Sequence, residues 1–285
     1  MPHTGNERHP DMAVDHYENF PVGSVLVPKH LRRPIHAIYA FSRTADDYAD
    51  EGEVADDVRL QQLQNLSRQL QQIEQGQTPQ MPMMQRLQTQ AIAPHHLPVS
   101  LFEDLLDAFR QDVVKKRYEQ WDELIDYSRR SANPIGRLLL HLYGVQDASS
   151  LKQSDAICTA LQLINFWQDV AVDWQKDRVY LPQASMREFG VSEQDIANGI
   201  ATDAFQKLLA FECERARDLL RQGLPLLERL PGRLKWELRL IVLGSARILD
   251  KLKAVNYDVF QQRPVLTKQD WLVLIYACVF NRMDI

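Results

Sequence analysis

Apolar residues recur every three or four positions along most of this chain, which is the spacing that buries one face of an α-helix. Two segments show the pattern clearly, with apolar residues at Leu60, Leu63, Leu66, Leu70 and Ile73, and at Leu238, Ile241, Val242, Ile248, Leu249 and Leu252. The alternating patterns of β-strands are missing, and the prolines fall between the helical segments. The pattern therefore predicts an all-α fold of about a dozen helices.

Chain length and composition favour one globular domain. The 285 residues are 45% hydrophobic and 25% charged, without a solenoid-type repeat or a long linker. We predict a single domain over residues 1–285, with residues 1–12 as a flexible N-terminal tail. The longest uncharged apolar run, Trp271 to Phe280, is too short to span a membrane, and we interpret it as a buried helix.

The overall charge argues against a nucleic-acid partner. The chain has a net charge of −5, and its basic run at residues 115–117 is short. The three cysteines lie far apart without CxxC spacing, which disfavours a disulfide framework or a structural zinc site and fits a reducing compartment. The N-terminus lacks the basic-then-apolar order of a signal peptide, so we expect a cytoplasmic protein.

Two acidic clusters stand out beside apolar segments. Asp46 and Asp50 are four residues apart and share one face of a helix predicted over Leu31 to Ala49. Asp169, Asp173 and Asp177 repeat that spacing after an apolar run more than a hundred residues later. Carboxylates are costly in a core helix unless they are paired or bound to a metal, and Mg²⁺ prefers such oxygens while bridging to phosphates.

Each cluster alone has a simpler explanation. The first can be a solvated helix end, and the second can form ion pairs with Lys176, Arg178 or distant cations. Their occurrence together favours metal binding. We predict a site that holds Mg²⁺ against a diphosphate, with the ligands Asp46, Asp50, Asp169 and Asp173 and the second-choice ligands Asp47 and Asp177.

The same segments resemble the squalene/phytoene synthase family. Its paired aspartate-rich motifs are similar to IYAFSRTADDYAD at 38–50 and LQLINFWQDVAVDWQKDRVYLP at 161–182, and weaker similarity covers KKRYEQWDEL, SANPIGRLLLHLYG and NYDVF. The resemblance implies a single all-α isoprenoid-synthase bundle with a central apolar cavity, dependent on Mg²⁺ and acting on prenyl diphosphates.

A narrower resemblance is to the branch of the family that forms hydroxysqualene. It is carried by ENFPVGS at 18–24, RTADDYADEGE, RRSANPIGRL and INFWQDVAVDW. This implies conversion of presqualene diphosphate and water to hydroxysqualene and diphosphate in squalene and hopanoid biosynthesis. It also implies functional partnership with an enzyme that supplies presqualene diphosphate, and so apolar a substrate suggests peripheral contact with the inner face of the membrane.

The chain departs from general family members at three places. YENF at 17–20 replaces a segment like SKSF, Gln168 replaces an arginine, and Arg129 stands where relatives often have a tyrosine. Fewer cations in the diphosphate region fit one bound diphosphate better than two.

Further site residues follow from the motifs and from the resemblance. Arg43 is a diphosphate ligand or the partner of Asp47 in an i, i+4 ion pair. Gln162 and Asn165 share a helix face with Asp169 and are candidates to position the attacking water, or else form a buried hydrogen-bonded pair. The other substrate-binding candidates are His16, Asn19, Tyr39, Gln168, Arg178, Tyr180, Tyr257 and Arg263. The alternative is an ordinary surface or core histidine for His16 and a surface arginine for Arg263. For the apolar wall we name Phe20, Val22, Leu138, Leu142, Phe166 and Leu243, for each of which ordinary core packing is the alternative.

Two other functions compete with this prediction. The first is a squalene, presqualene-diphosphate or phytoene synthase that condenses two prenyl diphosphates. The second is a non-enzymatic assembly factor of the same fold, which the intact aspartate pairs on both helices argue against.

Overall fold

The computed structural model describes residues 27–280 and residue 285. Thirteen α-helices occur in this part of the chain, together with a π-helical turn at Gln88–Ile92 and a 3-10 helix at Leu224–Glu228. The helices are α1 (Lys29–Asp50), α2 (Asp56–Glu74), α3 (Pro82–Leu87), α4 (Ala93–His95), α5 (Val99–Val114), α6 (Trp121–Ser131), α7 (Asn133–Leu142), α8 (Ala148–Gln175), α9 (Gln183–Phe189), α10 (Glu193–Ala197), α11 (Asp203–Gly223), α12 (Gly232–Ala254) and α13 (Lys268–Val279). The all-α prediction is confirmed, and the predicted tail at residues 1–12 lies outside the described residues.

Helix α1 carries the first acidic cluster because its apolar positions recur on one face. Leu31, Ile38, Phe41 and Ala45 are buried along that face. The helix ends at Asp50, and the chain then reverses through Gly52, whose φ of +76° favours glycine. The clustered carboxylates thus occupy the last turns of a helix that the core holds in place.

Helix α8 carries the second cluster through the middle of the fold. It begins where the Asp147 side chain accepts a hydrogen bond from the Ser150 amide at 3.0 Å, a standard N-terminal cap. It ends at Gln175, because Asp177 has a φ of +56° and the Arg178 amide returns to the Asp173 carbonyl at 2.9 Å. The chain therefore leaves the helix before Asp177.

Two clusters of buried apolar side chains form the interior. One joins α1, α2, α5 and α7, and the other joins α8, α11 and α12. Helices α7 and α8 approach closely at Gly136, where an added Cβ would lie 2.5 Å from both Cys158 Sγ and Ser154 Oγ. This contact sets the spacing of two helices that both line the cavity described below.

Helix α13 corrects the prediction of a buried helix at residues 271–280. Leu274 and Cys278 pack against α12, but seven apolar side chains on the rest of residues 271–280 are 44% to 70% exposed. The apolar periodicity could not show which face of this helix is exposed, because apolar residues occur all around it and no polar face identifies the solvent side. Within the described residues, no helix is long and apolar enough to cross a membrane.

Asp270 fixes the first turn of α13. Its carboxylate accepts hydrogen bonds from the amide and hydroxyl of Thr267 and forms ion pairs with Arg247 and Lys251 of α12. Burial would raise the pKa of Asp270, but the hydrogen bonds from Lys251, Thr267 and Arg247 outweigh it and hold the pKa below its ordinary value. α13 is therefore attached to α12 by a buried carboxylate as well as by apolar contacts.

Candidate active site

An apolar cavity of about 310 Å³ lies among the helices. Its walls come from α1, α5, the end of α6, α7, α8, the 3-10 helix and α12. They include Ile35, Ile38, Leu139, Leu161, Leu226, Leu230, Leu234, Leu238 and Ile241. The charged residues in this lining are Arg43 and Asp46, both in the C-terminal half of α1. The cavity thus has long apolar walls and a charged region beside the first acidic cluster.

The two acidic clusters meet at this charged region. Asp50, at the end of α1, forms a two-pronged ion pair with Arg178, which follows α8; one prong is Arg178 Nη1 to Asp50 Oδ2 at 2.7 Å. Lys176 also reaches Asp50 Oδ2, at 3.3 Å. Burial would raise the pKa of Asp50, but Arg178 holds it below the ordinary value. The ends of the two DxxxD segments are thus close together, but of the four predicted metal ligands Asp46 alone belongs to the described cavity lining.

The remaining aspartates are crowded by like charge. Burial, and then the neighbouring Asp169, raise the pKa of Asp173 to about 7. Burial, and then Asp50, raise the pKa of Asp46 to about 6. Asp169 itself forms a two-pronged ion pair with Arg263, with Arg263 Nη2 3.1 Å from Asp169 Oδ2. The site therefore concentrates negative charge that the neighbouring Arg and Lys side chains neutralise only in part.

These carboxylates fit Mg²⁺ by their chemistry. Among the described residues, no three Asp, Glu, His or Cys side chains converge as ligands of a single ion. Mg²⁺ does not require such a cage, because it commonly takes one or two carboxylates and fills its other positions with water and substrate phosphate oxygens. Crowded, desolvated carboxylates such as Asp46 and Asp173 gain most from such a cation.

Arg43 is engaged by carboxylates in this structure. Its guanidinium lies 3.1 Å from Asp46 Oδ2 and 2.8 Å from Asp47 Oδ1, and it also contacts Glu51. The i, i+4 ion pair with Asp47 therefore exists, and the same guanidinium lines the cavity. A diphosphate ligand role requires Arg43 to exchange these carboxylates for phosphate oxygens.

The expected alignment of Asp177 with Asp169 and Asp173 is wrong. Because α8 ends at Gln175, Asp177 falls in a left-handed turn, and its side chain is 78% exposed. It pairs with Arg117 at 2.8 Å, away from the cavity. Its carboxylate belongs to the loop contact between residues 117 and 179.

The substrate-binding candidates divide into separate groups. Tyr39 and Gln162 line the cavity, whereas Asn165 is not among the described residues that do so. Gln168 is buried and donates to the Pro264 carbonyl, so its amide holds the loop that carries Arg263. His16 and Asn19 lie outside the described residues.

Two tyrosine candidates lie away from the cavity wall. Tyr180 is buried and stacks on Phe166, with ring centroids 3.6 Å apart. Tyr257 packs against the core cluster of α8, α11 and α12, and its pKa is raised first by burial and then by the nearby Cys213. Neither ring is in the described cavity lining.

The predicted apolar wall also needs correction. Leu138, Leu142, Phe166 and Leu243 are core residues, and the cavity is lined instead by neighbours such as Leu139 and Leu140. The sequence indicated that these residues lie on helices, but the face that meets the cavity depends on how the helices rotate against one another. Phe20 and Val22 lie outside the described residues.

Asp112 is a site residue that the sequence analysis missed. It is 7% exposed, accepts a hydrogen bond from Tyr127 Oη at 2.8 Å, and its carbonyl accepts from Arg178 at 3.2 Å. Burial raises the pKa of Asp112 to about 7, although Arg178 opposes the shift. Local sequence did not single out this residue, because α5 carries three other acidic residues at positions 103, 104 and 107. Its carbonyl and carboxylate support the arginine that holds Asp50.

Two hydroxyls in the cavity wall are also new. Ser42 Oγ and Ser131 Oγ are buried and have no hydrogen-bond partner among the described residues. Other helical hydroxyls of this chain, such as those of Thr44 and Ser245, donate to the carbonyl four residues earlier, at 2.7 and 2.9 Å. Ser42 and Ser131 leave that option unused, so they offer polar atoms within an otherwise apolar wall.

Comparison with known proteins adds independent findings. The sequence profile described as squalene/phytoene synthase matches residues 13–270. The chain is 36% identical over 268 residues to the hydroxysqualene synthase of Rhodopseudomonas palustris, covering 93% of this chain and 89% of that protein. It is 29% identical over 258 residues to the 15-cis-phytoene synthase of Synechococcus elongatus, covering 86% and 83%.

Comparison with solved structures agrees with the sequence comparison. The fold superposes on the crystal structure of squalene synthase HpnC from Alicyclobacillus acidocaldarius with a TM-score of 0.79 and 38% sequence identity, covering 85% of this chain and 90% of that one. A dehydrosqualene synthase in complex with a ligand matches with a TM-score of 0.80 at 23% identity, which bears on the fold alone.

Proposed function

Because this chain belongs to the squalene/phytoene synthase family, we propose that it converts presqualene diphosphate and water into hydroxysqualene and diphosphate, with Mg²⁺ as the cofactor. The observation that carries the proposal is the contact between the ends of α1 and α8, which brings the two acidic clusters together beside an apolar cavity. The relatives that bear the name hydroxysqualene synthase support the choice of reaction within the family.

The acidic clusters supply the ionisation step. Asp46 and Asp50 on α1, and Asp169 and Asp173 on α8, would hold Mg²⁺ against the diphosphate. When bound, Mg²⁺ neutralises the charge that develops on the leaving group as its carbon–oxygen bond breaks. Arg178 and Arg263 already lie beside these carboxylates, and their guanidinium forks suit phosphate oxygens.

The apolar walls govern the cation that remains. Leucine and isoleucine side chains from several helices bind the hydrocarbon by burial and keep bulk water away from it. The cyclopropylcarbinyl cation can then rearrange and open before it meets a nucleophile. The cavity therefore has to place one water molecule beside one carbon of the cation while it excludes bulk solvent.

Gln162, Ser42 and Ser131 are the groups we assign to that water. All three line the cavity, and the two hydroxyls have no partner among the described residues that would compete for it. An amide oxygen or a hydroxyl oxygen can accept a hydrogen bond from the water and direct its lone pair at the cation. The water oxygen forms the new carbon–oxygen bond and gives up one proton to the released diphosphate, the base that the reaction itself supplies.

The supply of cations favours one diphosphate at a time. Gln168 stands where general family members place an arginine, and its amide is already used by the Pro264 carbonyl. Two diphosphates side by side would repel strongly in a buried site, so each missing cation weakens condensation of two farnesyl diphosphates most. Turnover of a single presqualene diphosphate is affected less.

Product analysis with the purified protein tests the proposal. We expect presqualene diphosphate and Mg²⁺ to give an alcohol that takes up ¹⁸O from labelled water, with no effect of NADPH, and Asp173→Asn to give none. Farnesyl diphosphate should react far more slowly. NADPH-dependent squalene, or phytoene-type products from two prenyl diphosphates, would refute the proposal and favour a condensing synthase. Absence of any Mg²⁺-dependent diphosphate release would favour a non-enzymatic role.

A further inference from the structure

The exposed side of α13 and its C-terminal end carry half of the large apolar side chains that are exposed in the described part of the chain, and the proposed reaction does not use them. Seven exposed apolar residues occur along one short segment: Trp271, Leu272, Val273, Ile275, Tyr276, Val279 and Phe280. We call this set the α13 face. Three of the seven are aromatic, and none is charged. An exposed patch of this kind marks an interaction surface more often than ordinary surface variation.

The segment of the chain that carries the α13 face is rich in Lys and Arg. Residues 229–280 contain nine Lys and Arg against four Asp and Glu, a net charge of +5, although the whole chain carries −5. The remainder of the chain therefore carries −10. Residues 229–280 are thus a basic segment of an acidic protein, and the apolar face lies within it. Four of the nine cations form ion pairs with carboxylates outside the segment: Arg229, Lys235, Arg239 and Arg263.

The exposed cations lie at both ends of the face. Helices α12 and α13 run antiparallel, because Arg247 contacts Asp270 at one end and Cys278 lies 3.9 Å from the Trp236 carbonyl at the other. Lys268 is exposed at the start of α13, near the exposed Arg247. Arg233, also exposed, is one turn from Trp236.

We propose that the α13 face is a docking surface for an anionic lipid membrane. Aromatic and aliphatic side chains bordered by Lys and Arg are the chemistry that enters the boundary between lipid headgroups and acyl chains. Each Lys or Arg near the surface adds attraction to anionic lipids. A second copy of this chain would have to bring its own basic region against this one, so charge complementarity favours lipid.

The position of α13 suits delivery of an apolar substrate. Helix α12 lies between α13 and the cavity, and contributes Leu234, Leu238 and Ile241 to the cavity wall. In this respect the inference rests on the proposed function, because a hydrocarbon diphosphate is drawn from the bilayer. Docking through the α13 face would bring the cavity to within one layer of helices of the lipid.

Vesicle binding by the full chain tests the proposal without measuring turnover. The probes are vesicles of phosphatidylcholine alone, and of phosphatidylcholine with about one third phosphatidylglycerol. We expect binding to the anionic vesicles that weakens as salt is added, and much weaker binding to the neutral ones. Failure of the full chain to bind anionic vesicles at low ionic strength would overturn the proposal, and would leave the proposed reaction standing.

Matched substitutions locate the surface. Leu272→Glu introduces one charge at a side chain that is 70% exposed, and Ile200→Glu does the same at one that is 58% exposed outside the face. We expect Leu272→Glu to lower vesicle partition roughly tenfold and Ile200→Glu to leave it unchanged. Lys268→Glu should reduce binding to anionic vesicles and its dependence on salt. Equal binding by the two glutamate variants refutes the assignment.

Analytical ultracentrifugation separates the alternative occupants. If the face joins two copies, the unsubstituted protein is a dimer that Leu272→Glu dissociates, and the lipid assignment is then wrong. If residues 1–26 cover the face, the full chain fails to bind vesicles, and the lipid assignment is again wrong. Circular dichroism of each variant checks that the helices are intact.

Discussion

Arg178 is the residue whose removal tests the site most directly. Its side chain is 10% exposed and forms a two-pronged ion pair with Asp50, which is 17% exposed. Loss of one partner of such a buried pair leaves an uncompensated charge and costs about 3 kcal/mol. We therefore expect Arg178→Gln to lower the free energy of unfolding by about that amount, measured by urea denaturation without Mg²⁺.

The chain offers a matched control for this measurement. Lys176 contacts the same Asp50 oxygen at 3.3 Å, but its side chain is 55% exposed. Lys176→Gln should therefore cost less than about 1 kcal/mol. The double variant Arg178→Gln with Asp50→Asn should recover part of the loss, because it removes the stranded charge as well. If Arg178→Gln costs no more than Lys176→Gln, the pair is not the buried contact described above.

Three further predictions concern the cavity, the helix contact and α13. Ser131→Ala and Ser42→Ala should lower the fraction of alcohol among the products and raise that of hydrocarbon, since water is held less well; an unchanged product ratio contradicts the assignment. Gly136→Ala should lower the free energy of unfolding by about 1–3 kcal/mol, because its Cβ would overlap Ser154 Oγ, and Gly76→Ala, with open space but φ +74°, controls for backbone strain. Asp270→Asn should cost about 2 kcal/mol near neutral pH. Because the folded pKa of Asp270 is lowered, its contribution is present above the ordinary carboxyl pKa of about 4 and lost as the pH falls towards the folded value, so the two proteins should converge in acid; a constant difference contradicts this.

The helices and the acidic clusters were predictable because their signals are local. Apolar periodicity located α1 and α8, and DxxxD spacing placed carboxylates on one face of each. The position of Asp177 outside α8 was not predictable in this way. A left-handed turn after Gln175 ends the helix, although the i, i+4 spacing of the aspartates continues. Local periodicity says little about the residue at which a helix stops.

Partners distant in the sequence account for the other differences. Gln168 stands out in the sequence because it replaces an arginine. Its hydrogen bond to the carbonyl of Pro264 was not predictable, because the two residues are 96 positions apart. Asp112 gained its role through Arg178, 66 positions away. The α13 face was predicted to be buried because its residues are apolar. Burial also requires another part of the protein to cover the face, and the sequence of α13 does not show whether one does.

The loop before α13 has a double attachment to α8. Consecutive residues of α8 hold consecutive residues of the loop, through the Gln168 hydrogen bond to Pro264 and the Asp169 ion pair with Arg263. Helix α13 begins at Lys268, four residues after Pro264. A displacement of α13 that carries this loop with it must therefore stretch the Arg263 pair or turn the Asp169 carboxylate. Movement of α13 can thus be transmitted through this short loop to Asp169, one of the proposed metal ligands.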